Sequence, residues 1–329
     1  MYSLLQIKKQ ENMNKIKNLF RFLFLLAFLV LLILRLEDAQ PWGFEGHKKI
    51  TEVAIDLILN LDKFNKIEQS KLDFLKKFLS ENKNIIIERC IEPDMVRSED
   101  KDEQYNHFID IDRYGAYPFN ELPRDKKVAI EKFGFETVQK NGFLPWRISD
   151  FTDSLAYSIS KDDKEKMLKY FSWLAHYVED AHQPLHVTEN YDGQLTNQPG
   201  IHSRFETELV KYLMRNDELK FDIKRLKNEL QRNSIVGDRV NFAFGIVLES
   251  YKFINDILNA DNYAKSLIPP EKLYRVEKRD GRTRYIYSEE YYSIMAGKLK
   301  DLVYDRMTRA SIRLATLWLT ALAESSNYK

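Results

Sequence analysis

Cysteine is almost missing from this chain of 329 residues: Cys90 is the only one. A single thiol excludes an internal disulfide and a thiolate metal cluster, and Cys90 reads as a small buried apolar side chain. There is no excess of charge of either sign, with 51 Lys and Arg against 50 Asp and Glu. That balance excludes the global basic field that drives nonspecific nucleic-acid binding, so an anionic ligand must be drawn by local charge. Internal repeats and low-complexity linkers are also lacking. The length suits one large domain or two small ones, and one domain is the simpler account.

Nor is there an apolar run long enough for a membrane span, which needs ~20 residues. Phe22 to Leu34 is an unbroken apolar run of thirteen, preceded by Lys15, Lys17 and Arg21. This is the pattern of a signal peptide, expected over residues 1–39, with Met13 as the expected start of translation. Cleavage is expected after Ala39, although Glu37 fits the minus-three position poorly. No cysteine follows the run to carry a lipid, so the mature chain is expected to be exported, periplasmic or secreted.

From residue 42 onward the pattern is mostly helical. Ile50, Val53, Ala54, Leu57, Ile58 and Leu61 recur at helical spacing, as do Leu72, Leu75, Phe78 and Leu79. Further helices are predicted over 162–182, 206–214, 240–258 and 289–324. The one clear strand signal, Leu273 to Tyr287 with Asp280-Gly281 at its centre, predicts a hairpin. The fold class expected is all-α: a single mostly helical domain, residues 42–329, with a small β-hairpin.

Five of the six histidines stand in metal-ligand spacing. His176 and Asp180 are four apart and share a helix face; Gln183-Pro184 then ends the helix, so that His186 can turn back to the same space. His202 and Glu206 repeat the four-residue step, and upstream stand Trp42, His47, Asp94 and His107. These are nitrogen and oxygen donors that zinc accepts, although such donors suit other divalent metals as well. The sixth histidine, His182, reads as a residue that orients its neighbours by hydrogen bonds.

The strings Trp-Gly-x-x-Gly-His, Pro-Asp-x-x-Arg, His-Phe-x-Asp, His-x-x-x-Asp-x-His-Gln-Pro-Leu-His and His-x-x-x-Glu resemble the trinuclear zinc phosphoesterases. That superfamily joins zinc-dependent phospholipases C to single-strand nucleases of the S-one and P-one type. The resemblance covers roughly residues 42–210 and implies three Zn2+ per chain. One would be held by Asp94, His107, His176 and Asp180, and a second by His186, His202 and Glu206. A third would take His47, the other oxygen of Asp180, and the backbone amine and carbonyl of an N-terminal Trp42. Such ions acidify water and stabilise in-line displacement at phosphorus. Asp94 would orient the nucleophile, and Arg97 would hold charge developing on the phosphoryl oxygens. The plain alternative for Arg97 is a surface arginine after a helix start.

Motif details divide between the two branches. The five-residue step from Trp42 to His47, Arg97, and Phe108 with Asp110 resemble the nucleases, in which the ring stacks on a base and the carboxylate reads its edge. Glu206, where the nucleases carry aspartate, and the short loop from His186 to His202 resemble the phospholipases. The balance leans slightly to an endonuclease of single-stranded nucleic acid; a phospholipase C acting on phospholipid headgroups is the alternative. A third reading is a non-catalytic zinc store, which open ligand positions in two of the three sites disfavour. Phe108, Trp146 and Trp173 have a plainer reading as core residues, and Lys278, Arg279, Arg282 and Arg284 as a solvated hairpin tip. No stable protein partner is implied. A free Trp42 amine needs either signal cleavage after Pro41, where proline fits badly, or a further partner, a peptidase that trims Gln40-Pro41 after export, which is the expectation.

Overall fold

A computed structural model describes residues 42–328 apart from Lys66, Asp280 and Gly281. The expected signal segment, Gln40-Pro41 and the hairpin's Asp-Gly turn lie outside the described residues. The chain begins with α1 (Gly43–Leu59) and α2 (Gln69–Arg89), followed by the short α3 (Glu92–Val96) and two 3-10 turns, Glu103–Asn106 and Ile111–Tyr114. Next come α4 (Lys126–Phe133), α5 (Phe135–Lys140), α6 (Leu144–Ser160) and α7 (Lys164–His182), then a 3-10 turn at Pro184–Val187. The helix α8 (Ile201–Ser203) runs through a π segment, Arg204–Leu209, into α9 (Val210–Arg215). After α10 (Ile223–Leu230), α11 (Arg239–Tyr251), α12 (Ile254–Leu267) and α13 (Pro270–Leu273), strands β1 (Tyr274–Arg279) and β2 (Arg282–Tyr287) lead into α14 (Glu289–Glu324). All-α is the observed class: a two-stranded antiparallel hairpin is the only sheet among the described residues.

Helix α7 is the centre of the molecule. Asp163 caps it by accepting from the Lys166 N–H, which satisfies one of the orphan donors of the first turn. It ends where Pro184 supplies no N–H and forces Gln183 into extended backbone, φ −84° and ψ 115°. Every residue from Leu174 to His182 is buried, so the helix has no solvent face over its last two turns. One side, with Leu174, Tyr177, Val178 and Ala181, joins an apolar cluster with α1, α2, α6 and the end of α14. The remaining polar positions, His176, Glu179, Asp180 and His182, must therefore find partners inside the protein. A second apolar cluster gathers α1, the π segment, α11, α12 and the first half of α14.

Two expected helices differ in extent. The 240–258 stretch is two helices broken at Lys252 and Phe253. No proline or glycine marks that break; the Ser250 hydroxyl donates to Ala181 O (2.7 Å) and the Arg306 guanidinium covers the Phe253 ring. Tertiary contacts set it. The 206–214 helix begins a turn earlier, at Ile201, and carries the π segment, an irregularity that often accompanies functional sites. No described helix is long and apolar enough to cross a membrane.

Candidate metal centre

Five parts of the chain converge on one buried point. Helix α1 delivers His47, α3 and the turn after it deliver Asp94 and His107, and α7 delivers His176 and Asp180. The Pro184–Val187 turn brings back His186, and the α8–π helix adds His202 and Glu206. Potential donor atoms lie within 4.8 Å of one another in three groups: His47, Asp94 and His176; His107, His176 and Asp180; and His186, His202 and Glu206. All eight side chains from the expected set are thus brought together.

Asp180 occupies the middle. Its Oδ2 is 3.1 Å from His107 Nδ1 and 3.3 Å from His176 Nε2, while Oδ1 is 3.7 Å from both His47 Nε2 and His186 Nδ1. The two oxygens of one carboxylate therefore face different histidines. Asp94 Oδ1 lies 3.6 Å from His107 and 3.8 Å from His176, adjoining the first two groups. Glu206 closes the last, 3.0 Å from His202 Nε2 and 3.4 Å from His186 Nε2.

The donor set fits divalent cations. His47 Nε2, both Asp94 oxygens, Asp180 Oδ1, His186 Nε2 and Glu206 Oε1 are buried without a hydrogen-bond partner. Each such group costs about 1–3 kcal/mol if left unsatisfied. Meanwhile the opposite ring nitrogens are tied: His186 Nδ1 to His107 O at 2.7 Å, His202 Nδ1 to Tyr191 O at 2.9 Å, and His47 Nδ1 to the Glu179 carboxylate at 2.5 Å. Such outer partners are what aim an imidazole at a metal.

Protonation points the same way. Burial pushes the Asp94 carboxyl up to about 6, and burial with the Asp94 and Glu206 charges pushes Asp180 well above the carboxylate range. Burial and the neighbouring cationic groups hold His107 and His176 well below the ordinary imidazole value. Three groups depart from this: burial opposes charge on each, but His202 and His186 hold Glu206 down to about 2, Glu179 raises His47 and Glu206 raises His202. Around Asp94 and Asp180, neutral His107 and His176 beside carboxyls short of counter-charge are a set that metal cations complete.

The other expected residues fall around this cluster. Arg97 Nη1 is 3.4 Å from Asp94 Oδ1 on a partly exposed side chain, so it stands at the rim. Trp42 is fully buried, and its indole N–H donates to Glu179 O at 2.7 Å, which holds residue 42 beside His47's partner. His182 binds no member of the cluster: Arg313 donates to its Nε2, so its Nδ1–H donates to Val178 O. Trp146 is core, Trp173 packs at the edge of the core, and Phe108 belongs to neither apolar cluster. Phe108 and Asp110 are both half-buried. Burial and the Asp112 charge raise the Asp110 carboxyl to about 6.

Sequence reading missed the supporting residues. Glu179 takes the His47 N–H and the Thr51 hydroxyl, and the Gln183 amide donates to Glu206 Oε2 at 2.7 Å. Their signal was adjacency to motif positions, which local spacing cannot separate from ordinary helix polarity. Gly142, between α5 and α6, lies against the Phe108 backbone. A Cβ there would lie 2.1 Å from Phe108 O, and its φ is +94°. Gly142→Ala is expected to destabilise the fold by ~2 kcal/mol or more and to raise KM for any substrate stacking on Phe108. Thermal melts and steady-state kinetics check this, and an unchanged melt with unchanged KM would refute it.

The family model described as S1/P1 Nuclease matches residues 42–324. The chain belongs to the S1/P1 nuclease family. It is accordingly a hydrolase acting on phosphoric ester bonds, within the trinuclear zinc phosphoesterase superfamily. The chain is similar to a protein of Arabidopsis thaliana described as Endonuclease 1, with 22% identity over 305 residues that cover 89% of this chain and 91% of the relative. Among solved structures, its fold is similar to that of the alpha toxin from Clostridium absonum, with TM-score 0.50, 14% identity and 86% of this chain covered. The Clostridium perfringens alpha-toxin from avian strain SWCP gives TM-score 0.50 and 13% identity over 88% of this chain. The chain spans 66% of the length of each toxin.

Proposed function

We propose that this chain is an exported zinc-dependent phosphodiesterase that cuts single-stranded nucleic acid endonucleolytically. The observation that carries the reading is the sharing of Asp180 between histidines on its two sides, among buried donors that lack partners. Membership of the family and the Endonuclease 1 relative support the nucleic-acid substrate.

Three Zn2+ ions would be held as the resemblance implies. Asp94, His107, His176 and Asp180 form one set; His186, His202 and Glu206 another; His47, Asp180 and the Trp42 backbone the third. When bound, zinc supplies Lewis acidity, bringing water within reach of ionisation near neutral pH and attracting the phosphate. The protein's own groups do the rest. Asp94, whose oxygens accept no hydrogen bond, orients the attacking water, and Arg97 at the rim receives charge that builds on the phosphoryl oxygens. Phe108 offers a ring face to a base, and Asp110 an acceptor to its edge.

The deciding assay compares zinc-loaded protein on single-stranded nucleic acid and on phosphatidylcholine vesicles, with and without chelator. Chelator-sensitive cutting of the oligonucleotide supports the reading; cutting of lipid alone transfers it to the phospholipase C class, which Glu206 resembles. Activity on neither substrate would leave a zinc store. Phe108→Ala is expected to cost nucleotide hydrolysis ~1–3 kcal/mol while sparing a small chromogenic diester. Equal losses on both would assign Phe108 a structural role.

The Trp42 backbone can ligate through an amine only if Trp42 is the first residue. An amide nitrogen is a far poorer donor. The proposal therefore includes removal of Gln40-Pro41 by a peptidase specific for Xaa-Pro after signal cleavage at Ala39. Sequencing the N-terminus of the exported protein tests it: a fully active three-metal form beginning at Gln40 would rule trimming out.

A further inference from the structure

The hairpin that joins α13 to α14 has no part in the metal cluster, yet its chemistry is distinctive. Residues 274–287 carry five basic and two acidic side chains, a local excess of three positive charges in a chain whose net charge is +1. The pairing register sets Tyr274 opposite Tyr287, Val276 opposite Tyr285 and Lys278 opposite Thr283. Directly opposed residues share a face, so one face of the ribbon is aromatic and ends in a lysine. That face is open: Tyr285 is 57% exposed, Val276 53% and Tyr274 37%.

A ladder of rings runs from this face to Arg204, a neighbour in the chain of two metal-donor positions. Ring centroids are 5.0 Å apart from Tyr285 to Tyr274, 5.4 Å from Tyr274 to Tyr287, and 4.5 Å from Tyr287 to the buried Tyr291. The Arg204 guanidinium lies 4.6 Å from the Tyr287 ring centre, and Tyr291 OH accepts from Arg204 Nε at 3.1 Å. Arg204 opens the π segment and stands between His202 and Glu206 in the chain. It is clamped further by Asp261 at 3.1 Å. The ribbon is therefore mounted rigidly on the helix that supplies one group of metal donors.

An exposed lysine at the end of a face of exposed rings, with the ribbon's arginine positions on its other face, is the recognition chemistry of single-stranded nucleic acid, with phosphates met by charge and bases by stacking. We infer that the hairpin is an accessory docking surface for single-stranded nucleic acid, holding the strand beyond the bond that is cut. Charge complementarity selects this occupant, because the aromatic face carries the positive charge of Lys278 and no carboxylate. The inference rests on the nuclease reading and extends it from the reacting phosphate to the length of the substrate.

The test uses zinc-loaded protein, an oligonucleotide of about 20 nucleotides and a dinucleotide. The double variant Tyr274→Ala/Tyr285→Ala is expected to raise KM for the oligonucleotide at least ~5-fold, the lower bound for one lost stack, and to leave dinucleotide turnover unchanged. Lys278→Gln is expected to make the salt dependence of oligonucleotide KM shallower, by roughly 0.7 in the log–log slope. Intact dinucleotide turnover shows that the variants fold; should the double variant lose it, the lysine variant decides alone. Unchanged oligonucleotide KM and salt slope, in a protein that does cut the oligonucleotide, overturn the docking surface and leave the nuclease reading standing. A wild-type protein that leaves the oligonucleotide intact removes both. Variants that lose binding to phosphatidylserine vesicles while keeping oligonucleotide KM would make the hairpin a lipid-facing element and likewise overturn the inference.

Discussion

Asp180→Ala is expected to leave the protein with fewer bound metals per chain than His47→Ala, and to lower phosphodiesterase activity by more than ~100-fold. The reason is geometric. Asp180 Oδ2 faces His107 and His176, whereas Oδ1 faces His47 and His186, so one side chain serves donors on both sides. Changes to residues that merely support a ligand cost ~10–100-fold in metal affinity or activity, and a shared ligand exceeds that range. His47→Ala removes a donor from one side only. Elemental analysis of both purified variants beside wild type decides the matter. Equal metal content in the two, or more in Asp180→Ala, would show that Asp180 is not a bridge.

Chelation is expected to lower the melting temperature by more than ~10 °C. The donors come from α1, α3 and its following turn, α7, the Pro184–Val187 turn and the α8–π helix. Metal binding therefore ties together segments separated by up to 159 residues, from His47 to Glu206. Ions that bind only the folded arrangement add their binding energy to folding, and 1 kcal/mol is worth about 2–4 °C in domains of 150–250 residues. Removal also exposes the cost of the unpartnered buried atoms around Asp94 and Asp180. Calorimetry with and without a strong chelator measures the shift. A melt that does not move after metal loss is verified would mean that the cluster is preformed without help from metal.

Much of the site was legible because its chemistry is written in local steps. His176 and Asp180, and likewise His202 and Glu206, are one helical turn apart, and Gln183-Pro184 announces the break that returns His186. The same holds for the hairpin, where alternation flanking Asp280-Gly281 foretold strands observed at Tyr274–Arg279 and Arg282–Tyr287. Glu179 was not legible. It is one more acid on a helix that contains several charges, and only the packing of α1 against α7 makes it the partner of His47 and Thr51. The break at Lys252 escaped for a related reason, since a serine hydroxyl and an arginine from distant segments hold it.

By itself, then, the order of residues determined the helical class, the candidate donors and their pairing within each turn, because helix periodicity and proline's missing N–H act over four residues or fewer. Tertiary structure alone decided which oxygen of Asp180 meets which histidine, which ring nitrogens are tied back to carbonyls, and that the tyrosines of the hairpin lead down to Arg204. Those facts depend on the packing of elements scores of residues apart. Burial then gives them force: inside the fold an unpaired carboxylate or imidazole cannot be satisfied by bulk water, so the arrangement of neighbours sets its charge and its ligands.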